Sequence, residues 1–399
     1  MQPIRLVTRL FRLAAAATLA ASALLATAAV AQDTQAQALP EHWDRATAAT
    51  LVSYIDGIGS QGLNPADYQP AQLQKAIDSG DPQALEDQAT RSFSLVAEDL
   101  AIGHVPPDKR GRYYIAPNTL SPMLVARMID IAITAHQVSW VLDSFAPQNP
   151  QYGALRTALA ALPPGPSDER TKILATLERW RWFPHNPGSR YLVVNIPEFR
   201  ARLYQDGRVI DEHKVIVGKT STPTPQFSTK VIGVIINPSW HVPQSIIAES
   251  VGSLVRNRPG TASARGYTWS SAGGRLNVTQ QPGPTNALGQ LKLDMPNPLS
   301  VFMHDTPSKQ LFDSDTRAFS HGCIRTQDPF GLAAKLLENT SWTLDKIDAT
   351  VATRVTTRVA LPTPVPAYAV YMTAVPQADG SVEYLNDPYK LDAGVVAQL

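Results

Sequence analysis

Apolar positions along the first half of the chain recur at helical spacing. Leu85, Ala89, Phe93, Val96 and Leu100 fall on one face, and Gly103 with Pro106-Pro107 ends the run. Ser121-Pro122 offers a cap and a first-turn proline ahead of a helix over residues 123–145. Residues 45–162 therefore read as a helical scaffold domain, and they hold no cluster of reactive side chains. Pro163-Pro164-Gly165-Pro166 punctuates the chain. Behind it, Ser167-Asp168-Glu169 caps a helix in which Ile173, Leu174, Leu177 and Trp180 share a face. The indoles of Trp180 and Trp182 read as core packing.

Past Pro187-Gly188 the period shortens to that of strands. Residues 191–196 are rich in β-formers, and 202–204 lead through the Asp206-Gly207 turn into a return strand over 209–217. Further strands are expected over 230–236, 368–374 and 382–384, the last two joined through Asp379-Gly380, with a capped helix over 328–337. Residues 237–288 break this rhythm. They are rich in Ser, Gly, Pro, Asn and Arg with few periodic apolar positions, and irregular stretches of that length usually serve a binding site as lids. The pattern predicts an α+β protein. A helical scaffold precedes a mostly β domain over 167–392, which carries a long lid insertion.

The first residues add a destination. Arg5, Arg9 and Arg12 precede an apolar run over 13–25, and Ala29-Val30-Ala31 is a small-x-small cleavage site, so residues 1–31 are expected to be an export signal to the periplasm. Left uncleaved, the segment would be an N-terminal membrane anchor. Residues 32–44 read as a flexible leader. Composition then narrows the function. The chain has 399 residues, 44% of them hydrophobic, ample for a packed core, and its net charge of +1 argues against a general nucleic-acid binder.

An exported chain with one cysteine cannot close an internal disulfide, so Cys323 is either inert or kept for its reactivity. Its neighbours favour reactivity: Ser320-His321-Gly322-Cys323-Ile324-Arg325 gathers polar and reactive groups into six residues. A thiol nucleophile needs a base or cation that holds it as thiolate, amides aimed at a developing oxyanion, and a close-approaching backbone. Gly322 answers the last need, and the Gly322 and Cys323 amides answer the second. His321 and His304 are both candidate bases, and spacing does not choose between them. Zinc is the chemical rival, but His304, His321 and Cys323 supply only three ligands without CxxC or HxxxH support, so no metal and no cofactor are expected.

His304, fifteen residues, and then Ser320-His321-Gly322-Cys323-Ile324-Arg325 resembles the signature of the L,D-transpeptidase (YkuD) catalytic domain, and most closely its YcbB-like subgroup. Glu178-Arg179-Trp180-Arg181-Trp182, Val217-Gly218-Lys219, Asn237-Pro238-Ser239-Trp240 and Gly283-Pro284-Thr285-Asn286 support the resemblance. Two features depart from it. The short linker over 163–166 leaves no room for the peptidoglycan-binding module common in the subgroup, and Asp305 stands where Gly or Ser is common.

The resemblance implies an acyltransferase in which Cys323 is the nucleophile and His304 the base. The Asp305 carbonyl would orient the imidazole, and His321, Gly322 and Cys323 would frame the oxyanion. Arg325, Ser320, Trp240 and Asn286 would contact substrate. Donor and acceptor would be peptidoglycan stem peptides, joined by 3-3 or 1-3 cross-links. Carbapenems would acylate the thiol. An L,D-carboxypeptidase and an enzyme that attaches protein to the wall share the signature, and a wall-binding protein with a dead site is the reading from another class.

Overall fold

The computed structural model describes residues 42–399; the expected export signal and most of the expected leader lie outside the described residues. Helices α1 (Arg45–Asp56), α2 (Pro70–Ser79) and α3 (Pro82–Ile102) open the scaffold half. Asp81 caps α3 by accepting from the Gln83 and Ala84 amides, and the helix buries Leu85, Ala89, Phe93, Val96 and Leu100 before Gly103 ends it. A strand of two residues, β1 (Tyr113–Tyr114), follows and pairs into the sheet of the second half.

The single helix expected over 123–145 is two, α4 (Pro122–Thr134) and α5 (Val138–Phe145), broken where His136 takes a left-handed φ of 52°. Both pieces bury residues in the same core, so the apolar pattern runs through the break and hides it. Helix α6 (Pro150–Ala161) completes the scaffold half, and α7 (Asp168–Trp182) links it to the rest.

Helix α7 is buried on several sides, and its charges are paired internally. Glu178 and Arg181, both fully buried, meet at 2.5 Å, and Arg181 also donates to the Gln61 carbonyl and the Tyr152 hydroxyl. The second Glu178 oxygen accepts from the Val105 amide (2.7 Å) and the Trp182 indole (2.8 Å). Arg179 reaches Asp392 near the C-terminus at 2.5 Å. Removing one partner of a buried pair strands the other charge in a dry site. Arg181→Met should therefore lower unfolding free energy by about 3–5 kcal/mol, read as a drop in thermal midpoint. The Arg181→Met, Glu178→Gln double variant should recover part of that loss.

The second half is built on a ring of strands. In chain order these are β2 (Arg190–Asn195), β3 (Arg200–Gln205), β4 (Arg208–Gly218) and β5 (Gln226–Ile236), followed by the insertion. The insertion is not irregular. It folds as β6 (Trp240–His241), α8 (Gln244–Ile246), a π-helical turn (Ile247–Val251), α9 (Gly252–Asn257), α10 (Pro259–Ala264), β7 (Tyr267–Ser270) and β8 (Asn277–Gln280). Its three strands pair in the order β6-β8-β7 over a small core of Val242, Ile247, Val251, Val255, Ala262 and Val278. Its strands have only two to four residues, and the π-helical turn inside the helical run over 244–257 breaks the α-helical spacing, which is why this stretch read as loop.

The chain then adds β9 (Leu291–Asp294), β10 (Met303–His304), β11 (Ala318–Ser320), β12 (Ile324–Thr326), α11 (Pro329–Leu336), α12 (Leu344–Ala352) and β13 (Thr357–Val370). A hairpin of β14 (Ala374–Pro376) and β15 (Val382–Tyr384) and a last short helix, α13 (Asp392–Val396), follow. Strands pair in the order β5-β13-β2-β3-β4-β12-β10-β9, and β9 pairs again with β5, which closes the path. One apolar core joins Leu192, Leu203, Val217, Val234, Leu291, Met303 and Ile324 to Leu332 and Leu336 of α11 and Ile347 of α12.

The longest strand, β13, begins well before the expected strand over 368–374. It contains Pro362, Pro364 and Pro366, residues that argue against a central strand because they donate no ladder hydrogen bond. The structure absorbs two of them in a register shift between Ala360 and Val365.

Candidate active site

Strands β9, β10 and β12 lie side by side, and their alternation decides which side chains face the core. Leu291, Leu293, Met303 and Ile324 are buried in it, so Lys292, His304 and Arg325 face the other way. In register, His304 stands opposite Lys292 on β9 and opposite Arg325 on β12. The three form one cross-strand row. Cys323 lies in the turn directly before β12, where the Lys292 and Arg325 charges act on its sulfur, and the Phe302 and His304 rings lie 5.7 Å apart.

Cys323 is half-buried. Its thiol donates to the Ser300 carbonyl at 3.7 Å, and the Phe302 amide lies against the sulfur. Ser300 holds a left-handed φ of 55°, a strained conformation for a residue with a Cβ. Asn297 braces this loop, accepting from the Leu299 and Val301 amides and donating to the Met295 and Val301 carbonyls. Burial pushes the thiol above its ordinary range, and the Phe302 amide, Lys292 and Arg325 offset this only in part. Burial thus favours the protonated thiol over the thiolate that the sequence leads one to expect.

His304 is buried, and its Nδ1 donates to the Asp305 carbonyl at 2.5 Å. Burial, aided by the Arg325 charge, pushes the imidazole down to about 4, so it rests neutral. With Nδ1 as donor, Nε2 is the acceptor. The Asp305 carboxylate turns away from the ring to the Gln290 amide (2.9 Å) and Lys309 (2.7 Å). Gly289 lies against that carboxylate so closely that a Cβ would meet its Oδ2 at 2.2 Å.

The turn that carries the cysteine is tied from within and from the segment between β4 and β5. Ser320 Oγ accepts from the Gly322 amide (3.1 Å) and donates to the Cys323 carbonyl (2.5 Å). Thr222 and Thr224 donate to the Ser320 and Gly322 carbonyls (3.1 and 2.8 Å). Gly322 takes a φ of 117°, open to glycine, and a Cβ on Gly218 would meet the Thr222 carbonyl oxygen at 2.1 Å. The Gly322 amide is therefore spent on Ser320, which removes it from the oxyanion frame. The His321 and Cys323 amides have no hydrogen-bond partner among the described residues.

Other expected contacts also change. Ser320 is buried and staples the turn, so it does not face substrate. Asn286 is fully buried, with its amide donating to the Pro238, Gln280 and Gln281 carbonyls and its oxygen accepting from the Leu288 amide, which leaves nothing for a ligand. Trp240 packs on the insertion's own core. The His321 ring turns outward and meets Glu249 of the insertion at 2.8 Å, and the same carboxylate takes Lys219 at 3.2 Å. Lys292, Ser300 and Glu249 escaped the sequence reading. Only Lys292 left a trace there, as the polar residue in the alternation Leu291-Lys292-Leu293.

Known proteins give this arrangement a lineage. Residues 189–356 match the family of L,D-transpeptidase catalytic domains (YkuD), and residues 15–159 match the family described as Scaffold domain, beginning inside the expected export signal. A Haemophilus influenzae protein named "Putative L,D-transpeptidase" is 28% identical over 281 residues, which span 65% of this chain and 56% of that protein, so the chain covers little more than half of its relative. Among solved structures, an L,D-transpeptidase from Mycobacterium smegmatis overlaps 46% of this chain and 58% of its own at 14% identity and a TM-score of 0.25. The ertapenem-acylated catalytic domain of the Enterococcus faecium L,D-transpeptidase overlaps 46% and 97% at 13% identity and a TM-score of 0.23. The chain carries an L,D-transpeptidase catalytic domain of the YkuD family behind a Scaffold domain.

Proposed function

We propose that this protein is a periplasmic peptidoglycan L,D-transpeptidase that works through a Cys323 acyl-enzyme. One observation carries the reading: a half-buried thiol directly before β12 and a buried, neutral imidazole on neighbouring β10 stand beside the same two cations, Lys292 and Arg325, and the imidazole has committed Nδ1 to the Asp305 carbonyl. The Nε2 lone pair is thereby kept for a proton.

As Sγ turns from Ser300 and attacks the carbonyl carbon of the diaminopimelate L-centre in a donor stem, its proton passes to Nε2. The S–C bond forms and the carbonyl electrons move onto oxygen, where the His321 and Cys323 amides donate. Collapse breaks the C–N bond to D-Ala, and His304 hands its proton to the departing amine. A side-chain amine of a second stem then attacks the thioester and gives a proton to His304, which returns it to the sulfur. Transfer must outrun hydrolysis, so the insertion, already in contact with the catalytic turn through Glu249 and His321, is assigned the task of excluding water. The basic start and Ala29-Val30-Ala31 support export to the periplasm.

Incubation of the purified protein with disaccharide-tetrapeptides, followed by mass spectrometry, tests the reading. Cross-linked dimers are expected, and their fragmentation distinguishes 3-3 from 1-3 links. Trimmed monomers alone would make the protein an L,D-carboxypeptidase, and unchanged tetrapeptides would overturn the assignment.

A further inference from the structure

Two cations flank His304 in its cross-strand row, and neither is paired with a carboxylate; the Cys323 sulfur acts on both through space, and Asp294 on Lys292. Lys292 and Arg325 make no ion pair and no side-chain hydrogen bond among the described residues. Lys292 lies over the Phe302 ring, its Nζ 4.3 Å from the centroid. The nearest acid along β9, Asp294, is spent on Arg358 at 2.6 Å, and Glu249 is spent on His321 and Lys219. Both cations are half-buried, and burial holds each below its ordinary range. Two partly desolvated positive charges with no carboxylate paired to either, side by side on one face, form a site that a substrate carboxylate completes.

The chemistry of the reaction identifies the anion. His304 must deliver its proton to the leaving nitrogen, so that nitrogen sits at the middle of the row. In D-Ala the α-carboxylate is two bonds from this nitrogen, and neighbouring strands lie about 4.8 Å apart. A carboxylate so attached falls within reach of the cation on either side. The acceptor has the same shape, because the D-centre of diaminopimelate also carries its amine and a carboxylate on one carbon. We propose that Lys292 and Arg325 form a single carboxylate subsite, which holds the α-carboxylate of the departing D-Ala and then that of the acceptor amine. Water carries no carboxylate, so the subsite favours aminolysis over hydrolysis at a position that both must share.

This inference rests on the transpeptidase reading, but it is tested by binding rather than by turnover. Disaccharide-tetrapeptide with a free D-Ala carboxylate, and the same compound as its C-terminal carboxamide, are titrated calorimetrically into the Cys323→Ala protein. The free acid is expected to bind about ten-fold more tightly, as one charge-assisted hydrogen bond provides. Adding Lys292→Gln or Arg325→Gln should shrink that ratio toward one, and Lys292→Arg should keep it. A ratio compares two ligands on one protein, so a general loss of affinity or fold leaves it unaffected, and thermal melts check that each variant is folded. Equal binding of acid and amide to the Cys323→Ala protein, or a preference that survives both Gln substitutions, would overturn the subsite. Dimer formation by the unsubstituted protein on the same tetrapeptide reports separately on the reaction.

Discussion

Cys323→Ala is expected to abolish the proposed formation of cross-linked dimers from disaccharide-tetrapeptides, with a rate loss above about a thousand-fold, as when the nucleophile of a covalent catalyst is removed. The same substitution removes the mass increase that a carbapenem leaves on the intact protein, because the strained lactam has no other activated thiol to acylate: Cys323 is the only cysteine in the chain. The fold should be untouched. The thiol is half-buried, and the turn around it is held by Ser320, Thr222 and Thr224 rather than by sulfur. Dimer formation at the original rate by the alanine variant would refute the nucleophile assignment outright.

His304 sets the second large effect. Its replacement by Gln is expected to slow acylation by about a hundred- to ten-thousand-fold, the usual worth of a positioned base. The pH profile carries more information than the rate. An imidazole whose folded value is about 4 stays neutral and able to accept a proton down to that pH, so kcat/KM should fall on acidification near pH 4 rather than near the ordinary histidine value. Arg325→Gln removes one of the two influences that depress the imidazole and should move this acid limb upward. Stability follows the same linkage. Between the ordinary histidine value and about pH 4 the unfolded chain binds a proton that the folded one refuses, so the fold weakens as pH falls through that window. His304→Gln should flatten that dependence. An acid limb at the ordinary value would contradict a buried, neutral base.

What the sequence discloses and what it hides follow from the range of the interactions concerned. Leu85 to Leu100 and the strands around Asp206-Gly207 are local periodicities, and they appear in the fold with boundaries shifted by a few residues. The break at His136 is hidden because the residues on both sides bury in one core. The insertion is hidden because its strands are short and a π-helical turn breaks the spacing of its helical run, and the first part of β13 because its prolines speak against a strand. In the site, the residues near Cys323 stand out as a local signature, but their roles depend on hydrogen bonds that spacing does not reveal. Ser320 uses the Gly322 amide, and Asn286 is consumed by three carbonyls inside the insertion. Lys292 joins His304 and Arg325 only through strand pairing, a relation between distant segments that no local pattern encodes.

The second pairing of β9 has a mechanical consequence. Gripped by β10 on one side and β5 on the other, this strand cannot swing outward without unzipping a closed ring, so the wall that presents Lys292 and His304 is stiff by construction. Any yielding that the proposed acceptor peptide requires then falls to the insertion, whose Glu249 holds His321 of the catalytic turn by a surface hydrogen bond and Lys219 beside it by a surface ion pair, contacts that salt or a competing ligand can loosen.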